Sequence, residues 1–190
     1  MKKKIILPVF ALISGIFFSG NVFAEKEGSV SSVVEISFDY KKAFSLATNQ
    51  TAVWVEDESG KVVKTVYVSD FTAKKRGYRK RENALVHWVA AVNPDSLSDK
   101  EIDAVSAATL KNGSQKFIWD LTDSSGNKVA DGKYFIKVEG TLYWKSNVLY
   151  SAQVDLSGGV LKVGEIQQNR SEPENSKNEN MILNVWIFAD

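Results

Sequence analysis

Seven stretches of the chain either alternate apolar with polar residues or gather β-branched and aromatic residues densely: Val33 to Tyr40, Thr51 to Glu56, Val62 to Val68, Lys116 to Leu121, Lys133 to Glu139, Val148 to Leu156 and Met181 to Phe188. A period of two puts alternate side chains on one buried face, so each stretch is expected to be a strand. The breaks between them hold turn-forming residues, notably Asp57-Glu58-Ser59-Gly60, Ser124-Ser125-Gly126-Asn127 and Asp131-Gly132. These residues supply positive φ and side-chain-to-backbone bonds. Many short strands punctuated in this way predict an all-β fold, an antiparallel immunoglobulin-like β-sandwich. Its expected core is Trp54, Val66, Trp119, Tyr134, Ile136 and Val154, the large apolar members of the alternating runs. The chain has neither a βαβ rhythm nor a phosphate-binding glycine loop, which argues against a nucleotide-binding α/β fold.

Two segments depart from the strand rhythm. From Arg81 to Val92 the chain reads R-E-N-A-L-V-H-W-V-A-A-V before Asn93-Pro94. Its period fits a short helix or a strand with an irregular end. Residues 167–180 are polar, with Pro173 and several asparagines, and read as a long polar loop from which the last apolar strand returns to the sheet.

The first 24 residues change the picture of where the protein works. Lys2-Lys3-Lys4 precede an apolar run from Ile5 to Phe18, and Ser19 to Ala24 ends in small residues. This is the layout of a secretory signal peptide, expected to be cleaved after Ala24 and to leave a single domain over 25–190. The run is interrupted by Pro8, Ser14 and Gly15 and is shorter than the roughly 20 residues of a spanning helix, so no membrane span is expected after cleavage. With no cysteine anywhere, disulfides, thiolate metal sites and lipoprotein anchoring are excluded. Without the three leader lysines, 21 basic residues face 23 acidic ones, and no global field points to nucleic acid.

Candidate chemistry is sparse. Serines are plentiful, but none sits in a Gly-x-Ser-x-Gly elbow, and no carboxylate pair stands out as acid and base, so no enzyme is expected. His87 is the single histidine and lies between Val86 and Trp88, where a packed or edge position is expected. Asp120, Asp123 and Asn127 carry oxygens suited to Ca²⁺, yet carboxylates at turns more often bond their own backbone, and no metal is assigned. Lys74-Lys75-Arg76-Gly77-Tyr78-Arg79-Lys80-Arg81 places six cations in eight residues. A solvated loop is the plain reading. The sharper one is an anion site formed by Arg76, Arg79 and Arg81, because guanidinium forks hold phosphate and Tyr78 can stack on a planar ring. A flavin phosphate, an acidic partner protein or anionic headgroups would suit it.

Residues 103–109 read D-A-V-S-A-A-T. This resembles the bacterial acceptor signal Asp-x-x-Ser/Thr-Gly-Ala-Thr/Ser, whose last hydroxyl is esterified by the phosphate of FMN. The resemblance implies Asp103, Ser106 and Thr109 as cofactor-binding residues, with covalent FMN on Thr109 placed there by a flavin transferase. Ala107 stands where the signal has glycine. If that position demands positive φ, the Cβ costs about 1–2 kcal/mol, and the segment is then simply a loop before the Trp119 strand.

The segments Ala52-Val53-Trp54-Val55-Glu56-Asp57, Phe71-Thr72, Tyr78-Arg79, Asp103-Ala104-Val105-Ser106 and Trp119-Asp120 with Gly126, Gly132 and Tyr134 occur in an order that resembles a family of predicted periplasmic bacterial proteins known only as a domain of unknown function. The resemblance runs from Val30 to Leu156. Trp119 to Tyr134 also resembles a hairpin of immunoglobulin-like modules such as the flagellar hook-capping protein, in which Trp119 and Tyr134 pack inward from paired strands. Members of the unknown-function family accompany flavin transferases and membrane electron-transfer proteins. That implies a periplasmic or membrane redox partner. Two functions therefore stay open: a periplasmic binding or accessory module, and a redox carrier with FMN on Thr109.

Overall fold

The computed structural model describes residues 33–42, 49–141, 146–171 and 180–189. The proposed leader, 1–24, lies outside them. Among the described residues, ten strands and two α-helices follow in chain order: β1 (Val34–Tyr40), β2 (Gln50–Asp57), β3 (Val62–Ser69), α1 (Val86–Val92), α2 (Asp99–Val105), β4 (Ser106–Ala107), β5 (Gly113–Trp119), β6 (Lys133–Thr141), β7 (Asn147–Asp155), β8 (Lys162–Val163), β9 (Gln167–Arg170) and β10 (Ile182–Ala189). Each of the seven expected strands is present, its ends shifted by no more than a few residues.

The strands form two sheets. The smaller has the order β10-β1-β5; the larger runs β4-β3-β2-β6-β7-β8, with β9 also paired to β7. All ladders are antiparallel except the short parallel pairing of Val68–Ser69 with Ser106–Ala107. The fold is a β-sandwich, and its main core lies between the sheets: Ile36 and Phe38 of β1, Val53 and Val55 of β2, Ile136 and Val138 of β6, Val154 of β7 and Ile187 of β10, together with Trp119. Trp119, Tyr134, Ile136 and Val154 are buried there as expected, and Val66 is half-buried against the same cluster. The rings of Trp119 and Tyr134 meet tilted at 60° with a centroid distance of 5.3 Å. They meet across the two sheets, because β5 pairs with β1 while β6 pairs with β2 and β7. The paired-strand geometry expected for them is therefore corrected: β5 and β6 share no ladder, and the backbone pairing between the two arms of that turn is the isolated bridge Thr122↔Lys128.

A third layer covers the other face of the large sheet. Ala52, Trp54 and Val68 point away from the sandwich and pack against Ala73, Leu85, Trp88 and Ile102, which come from the loop after β3 and from both helices. β2 is thus buried on both faces, which explains why Thr51-Ala52-Val53-Trp54-Val55 reads as a continuous run with weak alternation. The ambiguous 81–92 stretch resolves as helix only over Val86–Val92. The expected polar loop over 167–180 begins instead with β9, whose Gln167 to Arg170 bond to β7. A polar strand at a sheet edge needs only its backbone groups to pair, so composition did not reveal it. Residues 172–179 lie outside the described residues.

Candidate functional site

The acceptor-like segment is built by α2 and the edge of the large sheet. Ser98 opens α2 with a capping box: its hydroxyl accepts from the Glu101 N–H at 3.3 Å, and the Glu101 carboxylate accepts from the Ser98 N–H at 2.8 Å. Asp103 and Val105 close the helix, and Ser106 is its extended C-cap. Ser106 and Ala107 then pair with β3 as β4, and the Ala107 carbonyl accepts from the Asp70 N–H at 2.8 Å. The Tyr67 hydroxyl donates to the Ala108 carbonyl at 2.9 Å. Ala107, Ala108 and Thr109 are exposed, whereas the hydroxyl of Ser106 is buried and finds no partner among the described residues. Ala107 is a strand residue and does not appear among the non-glycine positions with positive φ, so its Cβ meets no left-handed strain. The glycine that the signal would have here is not demanded by this backbone.

The basic loop is folded onto an acid. Arg76 Nη1 and Arg79 Nη2 donate to Asp95 Oδ1 at 2.9 and 2.6 Å, and the Tyr78 hydroxyl donates to the same oxygen. Hydrogen bonds from Tyr78 and then Arg79 hold the Asp95 carboxyl below the usual carboxylate range. Gly77 makes the loop possible: a Cβ on it would overlap the Phe71 ring and carbonyl, and its N–H donates to that carbonyl at 2.8 Å. Arg81 is half-buried, and its N–H bonds the Gly77 carbonyl. Two of the three arginines expected to hold an anion are thus already engaged by a carboxylate of the same chain.

The structure brings the two sequence-derived sites together. Lys74 Nζ lies 3.3 Å from Asp103 Oδ1, and Arg76 Nη2 lies 3.8 Å from Asp99 Oδ1. Arg76 and Asp103 line one cavity of about 300 Å³, with Lys74 and Asp99 also on its walls. This cleft carries two cations and two carboxylates, so its charge is balanced.

A buried ionic group elsewhere is absent from the sequence reading. Glu139, fully buried on the helix-facing side of β6, accepts from the His87 N–H at 3.1 Å, from His87 Nδ1 at 3.0 Å and from the Trp88 N–H at 2.9 Å. The N-cap of α1, Leu85, is left-handed and offers no capping side chain, so a carboxylate from another element satisfies the helix's free donors. The bond to Glu139 raises the His87 pKa above its ordinary value against the opposing effect of burial. Glu56 and Lys137, 3.9 Å apart, are the other charges that act on His87. The alternation of β6 exposed the position of Glu139 but not the helix that would cover it. The turn carboxylates behave as expected: Asp123 accepts from the N–H groups of Ser125 and Asn127 at 2.8 and 2.9 Å.

The family model described as predicted periplasmic protein (DUF2271) matches residues 31–171. The chain belongs to that family. No curated protein and no solved structure matches it. The DUF2271 match spans β1 through β9, including α2, the acceptor-like segment, the basic loop and the Glu139 cap, and it stops short of β10. Its description places DUF2271 members in the periplasm, the location read from the leader. Among the described residues of this DUF2271 member no helix is long and apolar enough to cross a membrane.

Proposed function

We propose that the protein is a periplasmic binding and accessory module that docks to a periplasmic or membrane redox protein serving extracytoplasmic flavin-dependent electron transfer. The observation that carries this reading is the outer face of the small sheet. Ile118, Leu183, Trp186 and Phe188 are exposed there, Trp186 at 47% and Phe188 at 43%. The register sets Ile118, Glu35 and Phe188 in one row and Lys116, Ser37 and Trp186 in the next. The charges beside the aromatics are matched within the sheet, Lys116 by Glu35 and Asp39 by the Asn184 amide. Large aromatic anchors in a polar surround are the composition of an interface centre. The flavin association rests on the family resemblance and the acceptor-like segment. The test is binding of purified mature protein to membranes and periplasmic extract of its native host, followed by isolation of the cross-linked redox partner. Trp186→Ala with Phe188→Ala should weaken binding at least about thirtyfold, as loss of two-kilocalorie anchors does. Unchanged binding in that double variant overturns the reading.

A second reading, a redox carrier with FMN on Thr109, is favoured by the exposure of Ala107, Ala108 and Thr109 at the end of β4 and just after it. In it a separate transferase directs the Thr109 oxygen onto the FMN-side phosphorus of FAD, forming a phosphoester, releasing AMP and passing the hydroxyl proton to a base. Intact-mass measurement of native-host protein decides it. An FMN increment lost on Thr109→Ala supports the carrier, and unmodified protein in the presence of the transferase rejects it.

A further inference from the structure

The layer over the second face of the large sheet is closed at its centre and open at one side. Trp54, Val68, Leu85, Trp88 and Ile102 are buried in it, whereas Val62, Val92, Leu97 and Val105 pack against it only in part. Among these four lies a cavity of about 360 Å³. Its walls come from β3, α1, α2 and the turn after β5, all within the described stretch 49–141. Such a volume with a mostly apolar lining is that of a site for a small molecule.

The polar groups on its walls divide into those already satisfied and those left over. Thr65 is buried, and its hydroxyl accepts from Trp88 Nε1 at 3.2 Å. The Ser124 hydroxyl donates to the Val63 carbonyl at 3.0 Å. Three groups remain. Lys61 is fixed to Asp57 by its backbone, the N–H donating at 3.1 Å and the carbonyl accepting at 2.9 Å, and its ammonium has no hydrogen bond or ion pair among the described residues. Glu101 commits Oε2 to the N–H and hydroxyl of Ser98, at 2.8 and 2.6 Å, while its Oε1 has no donor among the described residues. The Ser98 bonds hold this carboxyl below its ordinary range, so it is ionised. The Ser125 N–H donates to Asp123, and the Ser125 hydroxyl is unspent. One cation and one carboxylate therefore line the same apolar cavity without pairing with each other.

We infer that this cavity binds a small apolar amino acid as its zwitterion. The ammonium meets Glu101 Oε1, the carboxylate meets the Lys61 ammonium and the Ser125 hydroxyl, and the side chain lies against Val62, Val92, Leu97 and Val105. Charge selects this class of ligand. An apolar acid satisfies Lys61 but confronts Glu101, an apolar amine does the reverse, and a zwitterion matches both. The inference goes beyond the docking reading, which rests on the small sheet and on none of these residues.

The test is calorimetric titration of the mature chain with L-leucine and with two derivatives, N-acetyl-leucine, which lacks the ammonium, and leucinamide, which lacks the carboxylate. Leucine should bind saturably with a Kd of about 1 mM or tighter. Each derivative should bind at least about tenfold more weakly, as the loss of a charge-assisted bond requires. Glu101→Gln keeps an acceptor in the capping box. It should erase the difference between leucine and N-acetyl-leucine and leave that between leucine and leucinamide. Lys61→Met should do the opposite, so each variant retains one discrimination as proof that it is folded. Absence of saturable leucine binding overturns the inference. A derivative that binds the wild type as tightly as leucine overturns the zwitterion, and discriminations that survive both substitutions place the ligand outside this cavity. None of these outcomes involves the redox partner, so the docking reading stands or falls by its own binding measurement.

Discussion

A carboxylate with no solvent must be matched by donors, and Glu139 is matched by two backbone N–H groups and one imidazole N–H. Replacement by Gln keeps the volume but turns an amide donor toward one of the helix donors. Glu139→Gln should therefore cost about 1–3 kcal/mol in denaturant unfolding, and it should lower the His87 pKa as read by NMR titration. The sign of the pH effect follows from the raised His87 pKa. The stabilising contribution is complete below the unfolded value of about 6.5 and is lost as pH rises through the higher folded value. Wild-type stability should fall over that window, and Glu139→Gln should flatten the fall; an equal slope in both proteins would rule out the pair as its source. Asp120 has the opposite sign. The Lys64 and Thr122 hydrogen bonds bring its pKa down to about 2. Its contribution is complete above the ordinary carboxylate range and is lost as pH falls toward the depressed value, so Lys64→Met should shift the Asp120 titration upward. In the core, Trp119→Ala should cost about 3–5 kcal/mol, because the indole is fully buried, packs at a tilt against the Tyr134 ring and donates to the Thr122 carbonyl at 2.9 Å.

At the scale of elements, the end of α2 decides how the acceptor-like segment is presented. Ser98→Ala removes the capping box and should cost about 1 kcal/mol; faster amide exchange through 99–105 would report it. Strands were legible because a two-residue period survives whatever covers the sheet, as in β6, where Tyr134, Ile136 and Val138 face the core. α2 is legible in principle from Ser98-Asp99-Lys100-Glu101, the capping-box spacing, but a helix of seven residues is too short to build a clear period of its own. The convergence of Arg76, Tyr78 and Arg79 on Asp95 was not legible, because contacts between residues sixteen to nineteen positions apart leave no periodic trace. The same holds for Glu139: the sequence places it on the face opposite Val138, and only the docking of α1 makes that face dry. Asp95→Ala should release the arginine pair. If the basic loop serves an anion, that variant should bind inorganic phosphate or FMN more tightly than the wild type, and Arg76→Ala with Arg79→Ala should abolish the gain; calorimetry reads both.

For the whole molecule, three layers divide the labour. The sandwich supplies the main core, the helices seal the second face of the large sheet, and the outer face of the small sheet exposes Ile118, Leu183, Trp186 and Phe188. β1 is the centre of the small sheet, flanked by β5 and by β10, with Val34 opposite Ala189. Gly140 packs under the start of β10: a Cβ there would sit 2.8 Å from Ile182 Cδ1, so a larger residue would oblige the end of that side chain to shift. Such pairing between strands far apart in sequence has a consequence for time. A polypeptide threaded through a membrane pore delivers its residues in order, and β1 emerges long before β10. Contacts of this span fold slowly, so one edge of β1 stays without its partner after β5 has paired with the other. A chain shortened before Ile182 should show no cooperative thermal transition, and the full chain should refold in milliseconds or slower by stopped-flow fluorescence of its tryptophans.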